Sequence, residues 1–462
     1  MKHYDIIIIG AGGGPKLRAA TDAGKTVAII EEAELWGTCL NRGCIPSKML
    51  IYPSDLVTHI REDHKDLFID LPQNPRINYE KLSEDTNANI KKDSDSIEPF
   101  YDTIENLTLY RWHASFVENK IVEVNGEYMS ADTIYIATGS TPSIPPIEWL
   151  AWTPYMTSKE ALSNKKLPKK MIVIWGWYIA VELWHVYGAA GTDVHFLVRS
   201  GMIKAEDKDV REAFQKDFSE RYNVHFGTSP TKVEYKNNTF FVTVIDADRN
   251  TEVMESDALF IATWVKPMTE WFWLENTDIQ LSGKGFIQVD DYLETDVPWV
   301  YALGDVIWGY LFRHSVNYEW EYLMKQHYSK EAKKPLVYPP VPHAIFTYPQ
   351  TAWVWVTEDE LIAQWKQEGV DYETSIHNYK NSAMWSAMRV KLWFVKLIAD
   401  KNTWVLLWAH IIWEKASDMI HMMIVLISVK QTVHFMVDDM IFIHPALSEV
   451  VRNAARSLVK KL

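Results

Sequence analysis

Residues 4–15 read Tyr-Asp-Ile-Ile-Ile-Ile-Gly-Ala-Gly-Gly-Gly-Pro. A continuous apolar run that ends in glycines is the signature of a buried parallel strand feeding a tight turn. Working outward, a helix-like segment reaches Ala23, Gly24 stops it, Thr26 to Ile30 forms a second strand, and Glu31 follows. Together these make a βαβ unit of the dinucleotide-binding type. Gly10 supplies the tight turn, and Gly12, with Gly14 in the same loop, lets backbone approach a pyrophosphate at the helix N-terminus. Glu31 stands about 20 residues on, where an acid binds ribose hydroxyls. Pro15 takes the third glycine position, which suits a helix start but forgoes the close helix–strand packing that glycine allows. Taken alone, the stretch also reads as a glycine-rich turn of no function.

The pattern starts again beyond a proline-rich linker, Pro142 to Pro154. Lys170 to Ile174 reads as a strand, Trp175-Gly176-Trp177 as its turn, a helix runs toward Tyr187, and Asp193 to Val198 is the second strand. Arg199 ends that strand where an NAD site usually places an acid, and Lys204 follows. Cations there suit a 2′-phosphate, which favours NADPH over NADH; a solvated surface charge is the plain alternative for Arg199. Between the two units, residues 49–106 read as two helices and 107–137 as short strands. From Tyr338 the chain alternates strands, including 389–399 and 403–412, before a helix from Lys415 to Val429.

The chain's 462 residues carry a net charge of −14 and are 47% hydrophobic. That is a globular composition with room for a large core, and its acidity argues against a nucleic-acid partner. The apolar run at the N-terminus is too short for a signal peptide, and Met419 to Val429, interrupted by His421, is too short to span a bilayer. A cytoplasmic protein with no membrane partner is the expectation. No metal site is expected.

Residues 36–48, WGTCLNRGCIPSK, hold the only two cysteines, Cys39 and Cys44. Two cysteines cannot staple a chain of this length, so their proximity invites a redox reading. An unbroken helix would hold their Cα atoms roughly 8 to 9 Å apart, beyond the reach of about 7 Å that a disulfide tolerates. Closure therefore needs a distorted loop, or a loop entering a helix, for which Gly43 and Pro46 are suited. A helix start and Lys48 would lower a thiol pKa there. Inert buried thiols would show the same spacing.

This segment resembles the redox-active disulfide of the class I pyridine nucleotide-disulfide oxidoreductases, whose usual form is GGTCLNRGCIPSK; Trp36 alone departs from it. The rest of the chain resembles that family in order. Ile136-Ala137-Thr138-Gly139-Ser140 is similar to the segment that closes the flavin domain, Thr295 to Asp305 to the one whose aspartate holds the flavin ribitol, and His444-Pro445 with Glu449 to its HPTLSE motif. The resemblance implies an α/β fold with two Rossmann-like nucleotide-binding domains plus an α+β C-terminal dimerisation domain. Its segments would be 1–147 for FAD, 148–270 for NAD(P), 271–338 for a central part completing the FAD domain, and 339–462 for the interface. It implies a homodimer in which His444, oriented by Glu449, completes the partner's site.

In the activity so implied, NADPH would reduce FAD and the flavin would reduce the Cys39–Cys44 disulfide. Cys44 would face the flavin and Cys39 would exchange with the substrate, His444 serving as proton donor. Lys48 would pair with Glu182 beside the flavin. Gly10, Gly12, Gly14, Glu31, Thr38, Gly139 and Asp305 would hold FAD, and Gly176 and Arg199 the nicotinamide nucleotide. The substrate would be lipoyl, as for dihydrolipoamide dehydrogenase, or a small-molecule disulfide, as for mycothione or glutathione reductase. Mercuric reductases carry extra cysteines near the C-terminus, which this chain lacks.

Tryptophan is abnormally frequent. There are 21 tryptophans beside 19 glycines, the glycines falling well below the usual share of about 7%. Trp175 and Trp177 stand at the first two glycine positions of the second turn. Trp36, Trp264, Trp299 and Trp308 likewise stand where the family tends to have glycine, and Trp353 with Trp355 shows the same spacing on a strand. An indole in the second turn would fill a phosphate pocket, so the chain as written predicts a defective NAD(P) site and a flavin-bearing scaffold as the alternative function.

Overall fold

The structure, a computed structural model, describes residues 1–12, 16–354, 356–389 and 393–461. Gly14 and Pro15 of the first turn and Trp355 lie outside the described residues.

In chain order the elements begin with β1 (Lys2–Ile9), α1 (Arg18–Asp22), β2 (Val27–Ile30), α2 (Gly37–Arg42), α3 (Cys44–Asp63), α4 (Tyr79–Asp95) and α5 (Ile97–Asp102). Strands β3 (Leu107–Tyr110), β4 (Ala114–Glu118), β5 (Ile121–Val124), β6 (Glu127–Ile136) and β7 (Ser140–Pro142) follow, then α6 (Ser158–Ser163). The middle holds β8 (Lys170–Ile174), α7 (Tyr178–Ala190), β9 (Asp193–Val198), α8 (Lys208–Arg221) and β10 (Asn223–Phe226). Next come β11 (Ser229–Lys236), β12 (Thr239–Ile245), β13 (Thr251–Ser256), β14 (Ala258–Ile261), β15 (Val265–Pro267), β16 (Val300–Ala302) and α9 (Arg313–Tyr328). The last part has β17 (Pro342–Ile345), β18 (Gln350–Val354), α10 (Glu358–Ala363), β19 (Tyr372–Asn378), α11 (Ala383–Met388), β20 (Phe394–Asp400), β21 (Leu406–Trp413), α12 (Ala416–Ser428), α13 (Val433–Asp438) and α14 (Ser448–Val459). Over 49–106 the chain forms three helices rather than two, because α5 is set off at Ser96, whose hydroxyl turns back to donate to the Asp93 carbonyl.

Two compact units partition the chain. The first comprises Met1–Ser47, Ser83–Pro145 and Thr263–Val337. Its sheet runs β3-β2-β1-β6-β5-β4, with β16 also paired to β6. Strands β1, β2, β3, β6 and β16 are parallel neighbours, whereas β4, β5 and β6 form an antiparallel meander. Ile6 to Ile9 are all buried, as both faces of a parallel strand require.

The second unit comprises Lys48–Leu82, Pro146–Ala262 and Tyr338–Leu462. It holds a parallel sheet β10-β9-β8-β14, an antiparallel sheet β11-β12-β13, and a five-stranded antiparallel sheet β17-β18-β21-β20-β19. One hydrophobic core joins α7, β8 and β9 to the five-stranded sheet and its covering helices α12 and α14. The repeated strand–turn–helix–strand pattern thus gives two sheets, each with a parallel core of dinucleotide-binding type, and an α+β region ends the chain.

Candidate active site

In the first unit, close backbone packing builds a bare cradle at the end of β1. Gly10 has φ +90°, and a Cβ there would lie 2.5 Å from the Ala137 carbonyl oxygen, so only glycine fits. A Cβ on Gly37 would lie 2.6 Å from the Gly12 Cα, which brings Thr38 beside the same turn. Glu31 braces the turn: its two carboxylate oxygens accept from Ala11 N–H at 2.8 Å and Ala33 N–H at 2.9 Å. Arg313 donates to the Gly12 carbonyl at 2.6 Å. At the end of β6, Gly139 sits at φ +74°, and Ser140 Oγ donates to Asp305 Oδ2 at 2.9 Å. Burial pushes the Asp305 carboxyl up, against that hydrogen bond. These contacts bring together Gly10, Gly12, Glu31, Thr38, Gly139 and Asp305.

Cys39 lies on α2 and Cys44 opens α3, and the two helices are broken apart at Gly43, with φ −147° and ψ −116°. Gly43 is needed for space rather than for left-handed backbone: a Cβ there would meet the Thr38 carbonyl oxygen at 2.8 Å. Cys39 is half-buried and Cys44 exposed, the accessibility that thiol exchange demands.

In the second unit, Lys48 Nζ donates to Glu182 Oε2 at 2.9 Å and lies 4.2 Å from the centre of the Phe346 ring. The other Glu182 oxygen accepts from Phe346 N–H at 3.0 Å. Helix α7 carries Glu182 on a buried face, so the carboxylate is held by two fixed donors. His444 Nδ1 lies 3.0 Å from Glu449 Oε2, and Glu449 also accepts from Arg452 at 2.8 Å and from Ala446 N–H at 3.2 Å. Burial pushes the Glu449 carboxyl up, but the bonds from His444 and Ala446 outweigh it and hold it below the usual range. The His444 side chain itself is 69% exposed, leaving its outer nitrogen open to a reactant.

The second turn, between β8 and α7, differs from the first. Trp175 has φ +88°, in the left-handed region, and its ring lies 4.9 Å below the Arg199 guanidinium. The Trp177 and Tyr178 rings lie 4.7 Å apart. Ser200, Gly201, Lys204, Arg211 and Gln215 line a cleft of about 280 Å³ close by in sequence.

Two dinucleotide-type sheets, an accessible cysteine pair and a carboxylate-held histidine are the parts that thiol–disulfide redox chemistry calls for. Residues 4–328 match the family model described as pyridine nucleotide-disulphide oxidoreductase, and residues 341–455 match the dimerisation domain of that family. The chain belongs to this family of flavoprotein disulfide reductases, whose members bind FAD and NAD(P)H. It is 30% identical to mycothione reductase of Mycobacterium tuberculosis, over 99% of this chain and 100% of that one. It is 31% identical to dihydrolipoyl dehydrogenase of Cupriavidus necator, over 100% and 99%, and 30% identical to mercuric reductase of Staphylococcus aureus, over 90% and 76%. In fold it is similar to the HOCl-induced flavoprotein disulfide reductase RclA from Escherichia coli, with a TM-score of 0.86 at 22% identity over 98% of this chain and 99% of that one. No helix among the described residues is long and apolar enough to cross a membrane.

The first turn fits FAD: at Gly10 the backbone lies too close to the Ala137 carbonyl for any side chain and so stays bare, as a pyrophosphate requires, and a half-buried Asp305 with one oxygen on Ser140 suits a polyol chain. The second turn does not fit a nicotinamide nucleotide, because an indole occupies the position where backbone must touch pyrophosphate, and it holds the Arg199 cation as well. Sequence reading missed Arg313, which ties α9 to the first turn from 301 residues away. It also missed Lys396, whose signal is a lysine inside the apolar strand FVKLIAD.

Proposed function

We propose that this chain is an FAD-dependent oxidoreductase that passes electrons between its flavin and a disulfide substrate through Cys39 and Cys44, dihydrolipoyl dehydrogenase-like, with NAD(P)H as the nucleotide partner only where the second turn is free of its indoles, and that it works as a homodimer. The observation that carries the thiol half is the cysteine pair on two helices separated at Gly43, one thiol exposed and one half-buried. FAD, held by Gly10, Gly12, Glu31, Thr38, Gly139 and Asp305, would supply two-electron chemistry when bound. Cys39 attacks the substrate disulfide as a thiolate and forms a mixed disulfide. Cys44 then displaces the second substrate thiol, closing the Cys39–Cys44 bond. His444, set by Glu449, gives its proton to the leaving thiolate. The Lys48 ammonium, fixed by Glu182, places positive charge near the end of the cysteine segment.

Homodimer formation has support beyond the dimerisation domain. Ile441 and Ile443, which lead into His444, are fully or largely exposed, and a second copy covering this segment would bury them and carry His444 to a neighbouring site. Dihydrolipoamide tests the proposal, because it enters by thiol exchange alone. Mixed anaerobically with the FAD-loaded protein, it should bleach the flavin, and Cys39→Ser should abolish the bleaching. A flavin untouched by dihydrolipoamide, glutathione and mycothiol alike would sink the proposal.

A second reading has its own observation. With Trp175 on the turn and Arg199 lodged over its ring, the chain as written would be a flavin-bearing scaffold that NAD(P)H does not load.

A further inference from the structure

The tryptophans of this chain stand on backbone that suits a different residue. Eight of them, Trp36, Trp149, Trp175, Trp271, Trp273, Trp299, Trp365 and Trp404, have φ between +54° and +88°. That region brings a Cβ against the neighbouring carbonyl and is entered freely only by glycine. An independent observation comes from the cores. The indole N–H groups of Trp184, Trp320, Trp408 and Trp413 are buried without a hydrogen-bond partner, although a buried indole N–H ordinarily finds one. A third is steric: the Trp353 indole overlaps the His343 ring across the β17–β18 pair, closer than stacked or edge-on rings approach. Removing the side chain would cure all three faults. Glycine is also the residue in deficit, 19 against 21 tryptophans.

We infer that the protein made in its own cell carries glycine at these thirteen positions and at Trp177. The codon UGA differs by one base from the tryptophan codon UGG and by one from the glycine codon GGA. A host that decodes UGA as glycine would place glycine wherever a reading of UGA as tryptophan writes Trp. The consequence is functional. With glycine at 175 and 177, the turn from Ile174 to Tyr178 offers bare backbone at the start of α7 to a pyrophosphate. Arg199, no longer held over an indole, would join Lys204 at the adjoining cleft and receive a 2′-phosphate. This nucleotide consequence rests on the proposed function, whereas the identity of the residues does not.

The test is the mass of the tryptic peptide Met171–Arg199 from the protein isolated from its own organism; it spans Trp175, Trp177 and Trp184. A mass lower by three tryptophan-to-glycine replacements is expected, and UGA at the three codons should accompany it. A peptide bearing all three indoles, or UGG codons, would overturn the inference. A recombinant pair then tests the function separately. NADPH should bleach bound FAD in the Trp175→Gly/Trp177→Gly protein and not in the chain as written. If the peptide carries glycine yet the double variant stays unreduced, the inference stands and the assignment of NADPH fails.

Discussion

His444 and Glu449 illustrate how much chemistry one hydrogen bond can set. Because Glu449 accepts at Nδ1, the imidazole is fixed with Nδ1 carrying the proton and the other nitrogen facing solvent, the tautomer a proton shuttle needs. Burial raises the Glu449 carboxyl, but His444, Ala446 and Arg452 together lower it, so it stays ionised through neutral pH. Its contribution to stability is present above the ordinary Glu value of 4.5 and fades as pH falls through the lowered folded value. His444→Gln should lower kcat/KM for disulfide reduction by about 10²–10⁴-fold with FAD content unchanged, measured by steady-state kinetics from pH 5.5 to 9. Activity equal to the parent across that range would exclude the histidine from proton transfer. The cysteine segment, the first glycine turn and the His-Pro-Glu motif were all legible in the sequence because each is local, with its chemistry compressed into a few adjacent residues. Arg313 on the Gly12 carbonyl was not, because no local pattern joins residues 301 apart.

At the scale of elements, β20 holds a buried charge cluster the sequence did not announce. Lys396, 1% exposed, donates to Asp207 at 2.9 Å, Asp209 at 2.6 Å and Glu358 at 2.5 Å. It thereby fastens the start of α8 and of α10 to the five-stranded sheet. Burial acts to lower the lysine pKa, and the three carboxylates overcome it and raise it. Burial acts to raise Asp207, and the Lys396 ammonium overcomes it and lowers it, His410 beside them being kept uncharged near neutrality by its own burial, which pushes it down to about 4. The clasp is therefore complete between the two ranges: the Asp207 contribution is lost as pH falls below the ordinary Asp value of 3.8, and the Lys396 contribution as pH rises past 10.5. Lys396→Met leaves three carboxylates without their cation and should cost about 3–5 kcal/mol by urea unfolding at pH 7. A loss below about 1 kcal/mol would mean that the cluster is hydrated and weak. Strands β20 and β21 were readable, since both are mostly apolar. The partners of Lys396 were not, because a fold and not a pattern brings residues 189 apart into contact.

At the scale of the whole molecule, each compact unit holds part of the candidate site. The first carries the FAD-type cradle with Cys39 and Cys44, and the second carries Lys48, Glu182, the second turn and His444. The fold class was legible because the strand–turn–helix–strand pattern occurs twice, and the misfit of the second turn was legible from Trp175 and Trp177 alone. What the backbone added is that the misfit is general, since tryptophans throughout the chain occupy glycine dihedrals. The central claim, that Cys39 and Cys44 form a redox couple in electronic contact with bound flavin, is tested most directly by counting electrons. In an anaerobic dithionite titration followed by flavin absorbance, the FAD-loaded protein should take up twice the reducing equivalents per flavin that Cys44→Ser takes up, the excess being the disulfide. Equal uptake by the two proteins would contradict it.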